Sequence, residues 1–255
     1  MNNWKKNGRW LEYFKGTKGY EIDGTWLPRV TAIVEIKAKP GLERYLAESK
    51  GYKDVQSTKR QAADEGSHIH EIAEAVLLGK SIPVPPAIAP AIFAVRRFLK
   101  EHALEITEEN VEKRIHHPTH RYAGTIDVLA TLDGKRGILD IKTGAAVYRD
   151  YRMQTAAYFD AVNATHPEAL ETRWIFRIDQ FQRCSKCGAK FRVKGGREST
   201  KGGTDHGAHE WGPIEGEVEL VEFHDDFEHD LAGFLHAKGL WEWEHRETLR
   251  EIGYL

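Results

Sequence analysis

The chain has 255 residues, 40% of them hydrophobic and 30% charged, which is the balance of a folded globular protein. No apolar run approaches the roughly 20 residues that span a bilayer, so a membrane protein is not expected. A net charge of −2 gives no global case for nucleic-acid binding, and the polar start Met1–Lys6 has no apolar segment behind it, so neither a secretory nor a transit peptide is read and a cytoplasmic protein is expected.

Residues Tyr20 to Ile36 are rich in aromatic and β-branched types around Asp23-Gly24, which predicts a short hairpin. From Gln56 to Leu78, Ile69, Ile72, Ala73, Val76 and Leu77 recur at helical spacing, and Pro86 to His102 reads as a second helix after a proline-rich link. Strands are predicted at Val111–Ile115, Gly124–Leu132 and Gly137–Lys142, the last two separated by Asp133-Gly134. A helix over Tyr148–Asn163, a strand over Trp174–Asp179, a Gly- and Lys-rich interruption over Cys184–Gly212, a strand over Glu217–Phe223 and a closing helix over Asp225–Arg250 complete the order. This succession predicts one α/β domain with a mixed sheet flanked by helices. Within it, 1–60 is the N-terminal hairpin and helical region, 61–182 the core, 183–212 a Cys/His insertion and 213–255 the C-terminal strand and helix.

Strand alternation in Leu139-Asp140-Ile141-Lys142 puts Asp140 and Lys142 on one face and the two apolar residues on the other. A two-residue turn at Asp133-Gly134 pairs Leu132 with Lys135 and, counted back, sets Asp127 opposite Asp140, whereas a four-residue loop sets Asp127 opposite Lys142. Two facing carboxylates repel, so the first register calls for a cation between them or a raised pKa. A hard divalent ion prefers such oxygen ligands and can polarise a phosphate and activate water, with a lysine beside it to orient the water or offset developing charge. The alternative is a solvated strand face carrying a weak ion pair.

Gly124-Thr-Ile-Asp127, Leu139-Asp140-Ile-Lys142-Thr143, Gln154-x-x-x-Tyr158 and, upstream, Gly66-Ser-His-Ile-His70-x-x-x-Glu74 together resemble, in order, the motifs of the RecB-like branch of the PD-(D/E)XK nuclease superfamily. The resemblance covers roughly Gly66 to Tyr158 and implies a restriction-endonuclease-like core. It implies that His70, Asp127, Asp140 and the Ile141 carbonyl oxygen ligate Mg²⁺ or Mn²⁺, with Glu74 reaching a second metal. Lys142 would be the catalytic lysine, and Gln154 and Tyr158, one helical turn apart, would contact the substrate strand or brace the site. Related nucleases include DNA-end-processing subunits, phage recombination exonucleases and CRISPR-associated exonucleases with an iron–sulfur cluster. Two cysteines cannot supply the four ligands of such a cluster, and no phosphate-loop motif of a helicase is present, so unwinding would fall to a helicase or recombination partner.

Cys184-x-x-Cys187 followed by His206-x-x-His209 is a pair of pairs able to complete a tetrahedral zinc site, although the histidine spacing is shorter than usual. Seven Lys or Arg against one Glu lie between Arg183 and Gly203, and seven carboxylates without Lys or Arg lie between Glu215 and Glu228. The first stretch reads as a flexible basic finger able to guide DNA, or as a solvated loop. The expectation is therefore a metal-dependent deoxyribonuclease acting exonucleolytically on single-stranded DNA or DNA ends. A non-catalytic zinc-containing DNA-binding module and an RNA-directed nuclease are the alternatives.

Overall fold

The computed structural model describes residues 8–37, 52–204 and 207–255. The first helix, α1 (Arg9–Lys18), runs into the hairpin β1 (Gly19–Ile22) and β2 (Thr25–Pro28), and a short helix α2 (Val30–Val34) follows. The predicted hairpin thus ends at Pro28: Val30, Ile33 and Val34 are buried on a helical turn against the core. A long helix α3 (Tyr52–Leu77) and α4 (Ala89–Glu101) precede the main sheet, with Pro90 in the first turn of α4, where its missing N–H costs nothing.

That sheet contains β3 (Leu104–Glu105), β4 (Val111–His117), β5 (Tyr122–Leu132), β6 (Lys135–Thr143), β7 (Thr172–Cys184), β8 (Lys190–Lys194), β9 (Arg197–Lys201) and β10 (Trp211–Glu222). Helix α5 (Asp150–Thr165) crosses from β6 to β7, which pair in parallel; the other pairings are antiparallel. Two helices, α6 (Phe227–Glu244) and α7 (Arg246–Glu251), close the chain, so the predicted closing helix breaks at His245. The architecture is mixed α/β, a mixed sheet flanked by helices, and among the described residues no helix is long and apolar enough to cross a membrane.

Each sheet face carries its own core. On one, Phe14, Trp26, Ile33, Tyr122, Ile138, Tyr158 and Trp241 pack together; on the other, Ile72, Val76, Ile92, Phe98, Leu139, Ile141 and Phe176 do. Leu139 and Ile141 lie on the face opposite Ile138, as the alternation of β6 requires. In β5 the alternation slips: Ile126 belongs to the first core, Val128 to the second, and Asp127 lies between them. The neighbouring strand slips at the same level. Val111 packs on the second core and Ile115 in the first, and between them Glu112 has φ 50°, a left-handed backbone that costs a non-glycine residue energy and concentrates at functional sites.

The interruption predicted over Cys184–Gly212 is more ordered than its composition suggests. Its middle is the hairpin β8–β9, in which Lys194 pairs with Arg197 across a two-residue turn at Gly195-Gly196. It is not a free basic finger. Arg192 is buried on Asp179, while Lys190, Arg183 and Lys186 pair with Glu217, Glu215 and Glu210, so among the described residues at least four of the seven cations are met by carboxylates, Glu215 and Glu217 coming from the acidic stretch.

Candidate active site

The β5–β6 turn has the predicted form. Asp133 and Gly134 both have positive φ, 50° and 83°, Leu132 pairs with Lys135, and the ladder runs to Val128 opposite Leu139. The two-residue register is therefore the one adopted, and Asp127 and Asp140 fall at the next step. No ladder pair forms there. Asp127 turns instead so that its Oδ2 accepts the Ile141 backbone N–H at 2.7 Å.

Helix α3 brings His70 against this point, its Nε2 3.0 Å from Asp127 Oδ2 and its Nδ1 3.3 Å from Glu74 Oε1, one turn along the same helix. The approach is close because residue 66 is glycine: a Cβ there would lie 2.7 Å from Thr143 Oγ1 at the end of β6. His70, Glu74 and Glu112 each offer a ligand atom within 4.8 Å of the others. Glu112 was not among the sequence candidates. Its β4–β5 register pairs His117 with Tyr122 and Val111 with Val128, which sets Glu112 opposite Asp127. Reading Pro118–Arg121 as a four-residue hairpin loop would have found it by the same counting that paired Asp127 with Asp140.

Asp140 is fully buried on the floor of the site. Gln154 Nε2 donates to its Oδ1 at 2.9 Å and lies 3.3 Å from the Tyr158 hydroxyl, and Lys142 Nζ sits 2.5 Å from its Oδ2. Tyr158 is itself buried, with 2% exposure, so of the two roles implied for it the geometry matches bracing rather than contact with a strand. Lys142 also lies over the Tyr151 ring of α5, 5.1 Å from its centroid. Of Ile141, it is the N–H that engages a site residue.

The electrostatics follow from crowding acids in little water. Burial pushes the Asp140 carboxyl up to about 6; the Lys142 ammonium opposes this and the Asp127 charge adds to it. Burial likewise lifts Glu74 to about 7, against the pull of His70 and with the charges of Glu112 and Asp127. His70 is raised because the carboxylates of Asp127, Glu74 and Glu112 outweigh the burial that opposes its charge, and Lys142 is raised because Asp140 and Asp127 outweigh its own burial. Lys142 is thus an ammonium at neutral pH.

Two buried carboxylate oxygens are each met by a basic nitrogen, Asp140 Oδ2 by Lys142 Nζ at 2.5 Å and Glu74 Oε1 by His70 Nδ1 at 3.3 Å, without a well-aligned hydrogen bond. Hard divalent cations take carboxylate oxygens together with an imidazole nitrogen as ligands, and His70, Glu74 and Glu112 offer such atoms within 4.8 Å of one another. The residues therefore fit a divalent ion: His70, Glu74, Glu112 and Asp127 line an open cleft of about 820 Å³ together with Lys142. A second groove of about 1010 Å³ shares Ala62, Thr143 and Lys194 with it and carries Lys59, Tyr148, Arg149, Arg197 and Lys201.

The zinc candidates lie apart from this cleft, at the end of β7. Cys184, Cys187 and His209 bring ligand atoms within 4.8 Å of one another; His206 lies outside the described residues. Comparison of the chain with protein-family models and with curated proteins finds no match.

Proposed function

We propose that the chain is a metal-dependent nuclease of the RecB-like PD-(D/E)XK type, with a restriction-endonuclease-like core. The observation that carries this reading is one cleft in which a helical histidine, acids from two neighbouring strands and a charged lysine converge. His70, Asp127, Glu74 and Glu112 would hold Mg²⁺ or Mn²⁺, with Asp140 beneath them. When bound, such an ion supplies Lewis acidity toward a phosphate oxygen and a water of lowered pKa.

The chain's own groups prepare the remaining steps. Lys142, kept charged by Asp140, presents a fixed positive charge where negative charge builds on phosphorus and can hold the attacking water. Gln154 and Tyr158 hold Asp140 in orientation, and the Ile141 N–H does the same for Asp127. The adjoining groove, with Lys59, Arg149, Arg197 and Lys201 for phosphates and the half-exposed Tyr148 ring for a base, suits an unpaired strand. That feature favours single-stranded DNA or a frayed DNA end as substrate.

The test is a time course with end-labelled single-stranded, blunt and overhanging DNA, and RNA of the same sequence, in Mg²⁺, Mn²⁺ or EDTA. Metal-dependent loss of single-stranded DNA and its ends is expected. Cleavage of RNA alone would move the substrate to RNA, and binding without cleavage of any substrate would leave a non-catalytic module.

A further inference from the structure

We infer that Cys184, Cys187 and His209 hold a structural zinc ion that fastens the start of β10 to the end of β7. This site is separate from the proposed catalytic cleft, and the inference does not rest on the nuclease reading.

The two thiols sit in a tight turn. The Cys184 N–H donates to the Ala189 carbonyl at 2.8 Å, and the Gly188 N–H donates back to the Cys184 carbonyl at 2.9 Å, so the chain folds round on itself between the two cysteines and β8. The Cys184 sulfur, in a residue only 1% exposed, receives the backbone N–H groups of Lys186, Cys187 and Glu210 and faces the His209 ring. The returning strand supplies the third group. Ser185 N–H bonds the Glu210 carbonyl at 2.9 Å, which places His209 beside the turn, and its ring packs on Trp211 with 4.6 Å between centroids. His209 Nδ1 then lies 3.6 Å from Cys187 Sγ.

That spacing is the length of a thiol–imidazole hydrogen bond and equally fits two ligands of one metal. Zinc bonds of about 2.3 Å to sulfur and about 2.0 Å to nitrogen, at tetrahedral angles, separate the two ligand atoms by roughly 3.5–3.6 Å. Two sulfurs and an imidazole supply three of the four donors of a tetrahedral zinc site, whereas an iron–sulfur centre would need four cysteines. The thiols also stand at the end of a strand, without the helix N-terminus that activates a redox Cys-x-x-Cys pair.

The surrounding structure explains why a metal is useful here. In β9 no residue is buried, and in β8 only Arg192 is, so the hairpin has almost no apolar core of its own. A metal crosslink at its base offsets the ordering cost that side-chain burial cannot. It also holds the segment from which Lys194 reaches the Thr143 carbonyl at 2.8 Å, at the rim of the cleft.

The experiment is elemental analysis of the full-length protein after gel filtration in metal-depleted buffer, with Cys187→Ala, His209→Ala and His70→Ala alongside. The wild type and His70→Ala should carry about one zinc per chain, and the other two less than about a tenth of that. Should those two variants fail to fold, mercurial titration of the native wild type should release the zinc as its thiols react, and cobalt exchange should give a thiolate-to-metal charge-transfer band. A wild type without zinc and without that band, a Cys184–Cys187 disulfide in freshly purified protein, or zinc retained by both variants would overturn the proposal.

Discussion

Asp127 accepts the Ile141 N–H at 2.7 Å, at the step where the β5–β6 ladder ends. A side chain has taken the place of a backbone carbonyl, so one carboxylate oxygen serves both as a strand bond and as the partner of His70. Structure and chemistry can therefore be separated by substitution. Asp127→Asn keeps an acceptor for Ile141 and should melt close to the wild type while losing metal binding and cleavage. Asp127→Ala orphans a backbone donor and should cost about 1–3 kcal/mol of stability besides. Thermal melts with calorimetric Mn²⁺ titration check this; equal loss of stability in both variants would show that the charge, not the hydrogen bond, holds the strands.

Lys142→Ala removes the positive charge and should lower cleavage by at least about 100-fold, the scale of losing one preorganised transition-state donor. Binding of single-stranded DNA should change little, because the groove cations remain. Single-turnover cleavage and fluorescence anisotropy on the same preparation decide it, and cleavage within a few-fold of wild type would remove the lysine from the mechanism.

Glu74 gives a pH signature. Its carboxyl is lifted from 4.5 to about 7, so the folded state holds its proton more tightly than the unfolded chain does. The stability this contributes is complete below 4.5 and is lost as pH rises through about 7. In EDTA, Glu74→Gln should thus match the wild type below 4.5 and melt higher above 7, because glutamine carries no charge to bury. Saturating Mn²⁺ should shrink or reverse the difference. Melting curves across that range read it out, and a constant offset at all pH values would contradict the raised pKa.

Gly124 packs against the brace of the site: a Cβ there would lie 2.4 Å from Tyr158 Cε1. Gly124→Ala should cost about 1–3 kcal/mol by overpacking. It should also slow cleavage more than it weakens DNA binding, because pushing Tyr158 disturbs Gln154 and through it Asp140. Unchanged turnover in a destabilised but folded variant would show that Tyr158 is only a core residue.

What the sequence alone determined is what local chemistry dictates. Asp133-Gly134 marks the turn, and its two registers leave Asp127 level with either Asp140 or Lys142 until the structure fixes the first. Strand alternation sets Asp140 and Lys142 together, and helical spacing sets His70 above Glu74. The hairpin turn at Gly195-Gly196 reads only as part of a flexible interruption, because the charged residues around it have no apolar alternation and resemble a loop. Only the tertiary structure decided that the face pattern slips at Asp127 and Glu112, that Glu112 joins His70, that Tyr158 is sealed under Gly124, and that Asp140 is fully buried. These depend on how distant segments press together, and burial and the approach of charges are properties of that packing, not of any stretch of sequence.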